Sequence, residues 1–264
     1  MQLTSLLLAL LPLTAAAART GHTIATSSDS LRSTPGGGRY GFKRCVDRGI
    51  RPEKISCLNF DSLETSSKTA LGPAPKSPLQ FSPQFSVFNL TRGAELNILP
   101  GSNKHSYASS PNSLILSRFT PETRGEVKPT RGRRVKVDKS AGYPTISRPD
   151  GGEFDLFGFY MQPMEIPEGV KGVDVWITAS KTASTPTSST KEPDFDWMIT
   201  FLPSINEMWY FDAHQVTGEQ WDGLKEVKIW AQLAGVDDAD WELFVDDVWV
   251  RWGEDKHHDS VELK

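Results

Sequence analysis

The chain is 264 residues long, 38% hydrophobic, with 8 Trp and 13 Phe, and its formal net charge is −4. That much apolar material supports a sizeable core in one large or two small domains, and the slight acidic excess gives no argument for a nucleic-acid partner. With 21 Gly and 18 Pro, many turns are expected rather than long helices.

Residues 1–18 open on a short, uncharged, Leu-rich run, Leu6-Leu-Leu-Ala-Leu-Leu11, followed by small residues up to Ala18. This predicts a secretory signal peptide cleaved near Ala16 to Ala18. A bilayer span needs about 20 apolar residues, so neither this run nor any later one predicts a membrane span. Residues 19–44 are mostly Ser, Thr, Gly and Arg and include Ser33-Thr-Pro-Gly-Gly-Gly38. Such a segment buries too little surface to offset its chain entropy, so a disordered lead is expected.

Cys45 and Cys57 are the two cysteines of the chain. In a secreted protein they are expected to pair, which the loop-entropy argument values at ~3 kcal/mol; two free thiols are the alternative. Asn89-Leu-Thr91 is an N-glycosylation sequon and predicts a surface turn.

From Ile55 the pattern turns to strands: 55–60, 85–89 and 113–117, with a Pro-rich loop at 73–83. Residues 124–139 are basic, and Val135 and Val137 alternate there with Arg134 and Lys136. A solvated strand face and a polyanion patch both fit this pattern.

The second half is clearer. Residues 153–160 read as a strand. Val173, Val175 and Ile177 share one face of the next, with Asp174, Trp176 and Thr178 on the other. A polar loop follows at 179–194, then strands at 196–201 and 208–212. Over 224–233, Val227, Ile229, Ala231 and Leu233 are expected inward, with Glu226, Lys228, Trp230 and Gln232 outward. A last strand covers 241–252, and 253–264 is a polar tail. Strands of period two between turns predict an all-β, antiparallel β-sandwich over 45–252, of jelly-roll type and monomeric.

The order Asn59-Phe-Asp-Ser-Leu63, a Pro-rich stretch, Phe154-Asp-Leu-Phe-Gly-Phe-Tyr160, a Val-x-Val-x-Ile strand and Phe244-Val-Asp-Asp-Val248 resembles a group of secreted fungal proteins of unassigned function. More distantly it is similar to jelly-roll, galactose-binding-like carbohydrate-binding modules. That resemblance implies a structural calcium held by Asp246 or Asp247 of the closing strand and by Asp61 near the first. Strand parity gives a separate reason to look at Asp246. If Phe244, Asp246, Val248 and Val250 share the core face, Asp246 is a buried carboxylate, which must be paired, protonated or bound to a cation. A strand-end position with backbone hydrogen bonds is the alternative.

Parity also sets three indoles outward: Trp176, Trp230 and Trp249. Flat aromatic faces beside hydrogen-bonding groups suit the apolar face of a sugar ring. The expected ligand contacts are therefore Trp176 and Trp230, with Lys228 and Gln232 as polar neighbours and Trp249 as a further ring. The competing expectation is that a loop covers these rings. Trp209 and Trp221, near loops, are candidates for a rim site.

No catalytic constellation is legible. Glu153-Phe-Asp155 lacks the second Glu of a paired-carboxylate strand, and no nucleophile elbow or His metal pair is present. The function expected is a non-catalytic carbohydrate-binding module at an extracellular or cell-wall surface, needing no cofactor beyond the calcium above. Its partner would be a glycan or cell-wall polysaccharide. The alternatives are a secreted effector-like protein that binds a protein partner and, behind it, a polysaccharide-active enzyme.

Overall fold

The computed structural model describes residues 21–25, 55–76, 78–99, 111–117, 143–182, 192–203, 207–236 and 240–253, with backbone pairing alone for 21–25. Cys45, the basic segment 124–139 and His257-His258 lie outside the described residues.

The protein is an all-β sandwich of two sheets. The first has six strands in the order β1 (Gly21–Ala25), β10 (Phe195–Phe201), β9 (Val173–Ser180), β13 (Glu226–Leu233), β7 (Thr145–Ser147) and β4 (Gln80–Phe81). The second runs β11 (Trp209–Asp212), β8 (Phe154–Pro163), β14 (Glu242–Trp252), β6 (Asn112–Ser117), β5 (Phe85–Asn89) and β3 (Leu71–Gly72). Beside this path β12 (Trp221–Leu224) pairs with β8, and β2 (Ile55–Leu58) pairs with β14. Pairing is antiparallel throughout except for β1, which lies parallel to β10.

The pairing of β1 corrects part of the expected disordered lead. Gly21–Ala25 is a strand, in register with Trp197 to Phe201. Two short helices complete the described structure. Helix α1 (Leu90–Glu95) is capped by Asn89, whose side chain accepts from the Arg92 amide at 2.8 Å. Helix α2 (Ala213–Thr217) is capped by Asp212 and ends on Gly218 at φ 74°.

The core lies between the sheets. Val173, Val175, Ile177, Trp197, Ile199, Val227 and Ile229 of the first sheet meet Phe85, Leu114, Leu116, Phe154, Phe159, Val245, Val248 and Val250 of the second. Removing such side chains from water is the main favourable term in folding. Aromatic pairs add specific geometry: Trp197 stacks on Trp209 at 5.6 Å, and Trp221 stacks on Phe195 at 5.3 Å. Trp209 and Trp221 are therefore core residues, not the rim residues expected from their nearness to loops.

The two sheets differ on their outward faces. The second is covered there by a smaller cluster of Ala70, Phe88, Leu90, Leu99, Ile115 and Phe244. Strand β14 is accordingly buried at every position from Leu243 to Val250. Its face pattern corrects a parity expectation. Phe244 belongs to the outer cluster, whereas Val245, Val248 and Val250 belong to the core between the sheets. A bulge between Asp246 and Trp249, with Asp247 in the left-handed region at φ 46°, shifts the alternation by one residue. Asp246 is buried as expected, but not on the face of Val248 and Val250.

Two predictions follow from the packing. Gly158 of β8 is opposite Asp212, and a Cβ there would fall inside the contact distance of the Phe211 carbonyl oxygen and 2.8 Å from the Tyr210 hydroxyl oxygen. Gly158→Ala is expected to cost about 3 kcal/mol, read by thermal or urea unfolding. The second concerns Asp150, which accepts from Arg148 Nε at 2.9 Å and pairs with its Nη2. The Arg148 hydrogen bonds hold the Asp150 carboxyl down at about 2. A depressed carboxylate stabilises the fold above its unfolded value and loses that contribution as pH falls through the folded one. Asp150→Asn should therefore melt lower than the parent at pH 7, by about 0.5 kcal/mol for so exposed a partner. The deficit should fade between about pH 4 and pH 2.

Candidate functional site

The outward face of the six-stranded sheet alternates with the core face along β13 and over Val173 to Ile177 of β9, while Thr178, also set outward by parity, is buried. On β13, Val227, Ile229, Ala231 and Leu233 are buried, Glu226, Lys228 and Trp230 are half-buried, and Gln232 is exposed. On β9, Asp174 and Trp176 are half-buried between buried Val173, Val175 and Ile177. The pattern arises because one side of each strand fills the core and the other stands free of the second sheet.

Register then decides which outward side chains meet. Trp176 is directly opposite Trp230, and Met198 of β10 is opposite Trp176. The Ile229 amide donates to the Pro144 carbonyl at 3.1 Å, which carries the β13–β7 ladder one step beyond β7 and sets Tyr143 beside Trp230. The result is a row across the strands: Met198, Trp176, Trp230, Tyr143. The two indole rings are 6.1 Å apart and within 7° of parallel, and Tyr143 lies 4.7 Å from Trp230 at 31°. These values match offset-stacked aromatic pairs.

The stacking alters the expected roles. The carbohydrate reading asks for Trp176, Trp230 and Trp249 to be exposed and co-facial; Trp176 and Trp230 share a face but are half-buried, and Trp249 is buried elsewhere. Trp230 stands between Trp176 and Tyr143 and packs with both. Of these rings Tyr143 is the exposed one, at 56%, while Trp176 is half-buried with Met198 opposite it on β10. Trp249 leaves the set altogether. It is 5% exposed on the covered face of the second sheet, opposite Cys57 and Gly158.

Polar groups flank the row on both sides. On one, the Thr200 hydroxyl donates to Asp174 Oδ1 at 2.6 Å, and Gln232 is the register partner of Asp174. On the other, Asp196, Thr178, Lys228 and Thr145 share a row, and Lys228 Nζ lies 2.9 Å from Glu226 Oε1. Lys228 and Gln232 are thus where the sequence set them.

The acidic residues expected to hold calcium are placed differently. Asp61 is half-buried, and its Oδ1 accepts from the Asn112 amide at 3.2 Å. Asn112 Nδ2 in turn donates to the carbonyls of Phe60, Asp61 and Leu63 at 2.9–3.2 Å, tying the turn after β2 to β6. Asp246 and Asp247 are fully buried at the bulge, where Asp246 Oδ1 accepts from the Asp247 amide at 2.8 Å. Among the described residues no group of three or more His, Cys, Asp or Glu side chains could hold a metal ion, so Asp61, Asp246 and Asp247 do not form one.

Elsewhere, Asp155 accepts from the Gly223 amide at 2.8 Å and from Arg251 Nε at 2.7 Å, while Glu153 sits 3.5 Å from Lys225. Both carboxylates are tied into the sheet end rather than facing each other across a cleft. Cys57 is half-buried on β2. Asn89, expected at a surface turn, is half-buried at the β5–α1 junction with Oδ1 committed to the cap.

Met198, Tyr143 and Asp196 of this face were not singled out from sequence. Tyr143 lies outside any strand and reaches the row only through the Pro144 pairing. Asp196 was readable from parity, two residues before Met198 on the same side of β10.

If the ring row is a coupled unit, Trp176→Leu and Trp230→Leu should be non-additive. A double-mutant cycle read by urea unfolding is expected to give a coupling of about 1 kcal/mol, against near zero for Trp176→Leu with Gly158→Ala. Compared with known proteins, the chain matches no family model and no curated protein.

Proposed function

We propose that the protein is a secreted, non-catalytic module that binds carbohydrate on the outward face of its six-stranded sheet. The observation that carries this reading is the Met198–Trp176–Trp230–Tyr143 row with polar side chains along both edges. Sugar rings present a face of C–H groups bordered by hydroxyls. A ligand of that kind pairs apolar ring surface with hydrogen-bonding groups a few ångströms to either side. Trp230 acts as a buttress that holds Trp176 and Tyr143 in position, and those two meet the ligand. Gln232 and Lys228 supply the donors.

The compartment fits this role. An apolar leader ending in small residues supports export, and an extracellular setting favours a Cys45–Cys57 bridge and use of the Asn89 sequon. The sandwich would then be a jelly-roll-type module acting alone at a cell-wall or other extracellular surface.

The test is retention of the mature protein on insoluble polysaccharides and glycan arrays. Tyr143→Ala and Trp176→Ala should each lower binding tenfold or more while the fold persists by near-ultraviolet circular dichroism. Retention unchanged in both variants would remove the reading, and capture of a protein partner alone would favour an interaction role instead.

A further inference from the structure

The aromatic row leaves one group on its face unexplained. Asp196 lies on β10 opposite Thr178, two residues along the strand from Met198 and on the same side of the sheet. It is half-buried, and its Oδ1 is buried with no hydrogen-bond partner among the described residues. Loss of solvent pushes the Asp196 carboxyl up from its ordinary value, and the Trp197 amide offsets this only in part. A desolvated carboxylate without a full set of donors is costly to the folded protein. Asp174, on the same face, is satisfied by Thr200 at 2.6 Å. The cation in the row of Asp196 is Lys228, two strands away and already 2.9 Å from Glu226.

Among the described residues the charged groups of this face are therefore three carboxylates, Asp174, Asp196 and Glu226, against Lys228. Of the three, Asp196 is the one with a buried oxygen that has no donor. A second carboxylate arriving on a ligand would add to a negative surface, whereas a hydroxyl would donate to Asp196.

We propose that Asp196 accepts hydrogen bonds from the hydroxyls of a bound sugar, and that the ligand class is a neutral polysaccharide rather than an acidic one. The proposal rests on the carbohydrate reading of this face. Ring carbons lie against Tyr143 and Trp176, and hydroxyls on one edge of the sugar reach the outer oxygen of the Asp196 carboxylate, since Oδ1 itself is buried and the residue is half-buried. Donors on the outer oxygen support the charge of a carboxylate whose inner oxygen the fold leaves without one. This makes Asp196 a residue held for the ligand at a cost to the fold.

The experiment compares affinity electrophoresis of the full mature chain in soluble neutral polymers (β-glucan, xyloglucan, galactomannan) and in anionic ones (polygalacturonate, alginate). Asp196→Asn, Asp196→Ala and Trp176→Ala are run beside the parent, and thermal unfolding is recorded for each. The parent should be retarded by at least one neutral polymer and by neither anionic one. Asp196→Asn and Asp196→Ala should each weaken that retardation tenfold or more. Asp196→Asn should also melt no lower than the parent, which a merely structural carboxylate would not allow. Neutral binding that survives both Asp196 substitutions but fails in Trp176→Ala would overturn the role of Asp196 and leave the face as the site. Preference for the anionic polymers would overturn the ligand class. Retardation by no polymer would overturn both this proposal and the carbohydrate reading beneath it.

Discussion

A left-handed backbone at one aspartate organises the second sheet. Strand β14 pairs with β6 through Glu242 to Val245 and with β2 through Val248 to Arg251, so its neighbour on one side changes part-way along. The change falls at the bulge, where Asp247 sits at φ 46° and its amide is held by the Asp246 carboxylate at 2.8 Å. Asp tolerates this conformation better than most residues because a short polar side chain can bond locally; here the neighbouring Asp supplies the bond. On the other side β8 follows with its own register shift, from Asp246 opposite Tyr160 to Trp249 opposite Gly158. Without the extra residue, Val248 and Val250 would leave the core that Leu243 and Val245 enter.

The bulge also explains why the sheets present such different surfaces. Below it, Phe244 joins Phe88 and Ile115 under the segment around α1, and the outward side of the second sheet becomes a smaller core. The first sheet has no such cover along β9 and β13 among the described residues. Its outward side chains must therefore be tolerable beside water. Polar residues achieve this directly, and the aromatic rings achieve it by shielding one another's faces. A stack of three rings is thus both a packing solution and a partly open apolar surface. The unpartnered carboxylate oxygen of Asp196 stands beside it.

Strands β9 and β13 were legible in the sequence because each has a single buried face, which imposes a period of two on side-chain type. From that period the outward positions of Trp176, Lys228, Trp230 and Gln232 followed directly. Phe244 and Asp246 were misread by the same logic: the period continues in the residue types across Asp246-Asp247, while the backbone adds one residue; Trp249 does turn away from the core as parity set it, but is buried on that side. Two adjacent aspartates carry no mark that one will turn left-handed. Gly21–Ala25 was missed for a different reason. A short Gly- and Thr-containing segment has no periodicity of its own, and its pairing is supplied by β10, far away in sequence. Tyr143 shows the limit most plainly. Its place in the ring row depends on a hydrogen bond from Ile229 to Pro144 and on nothing local.

The edges of the two sheets have a bearing on solubility. Among the described residues most of the outermost strands are short: β3 and β4 have two residues each, and β2, β11 and β12 have four each. Brief edges offer little template for another chain to add to. The longest of them is β1, with five residues, and it lies beside β10, a seven-residue strand rich in aromatic and branched side chains. Gly21–Ala25 is in this sense a guard strand. Its few residues occupy the outer ladder of β10, so whether that long strand is open to a foreign chain depends on the first described residues.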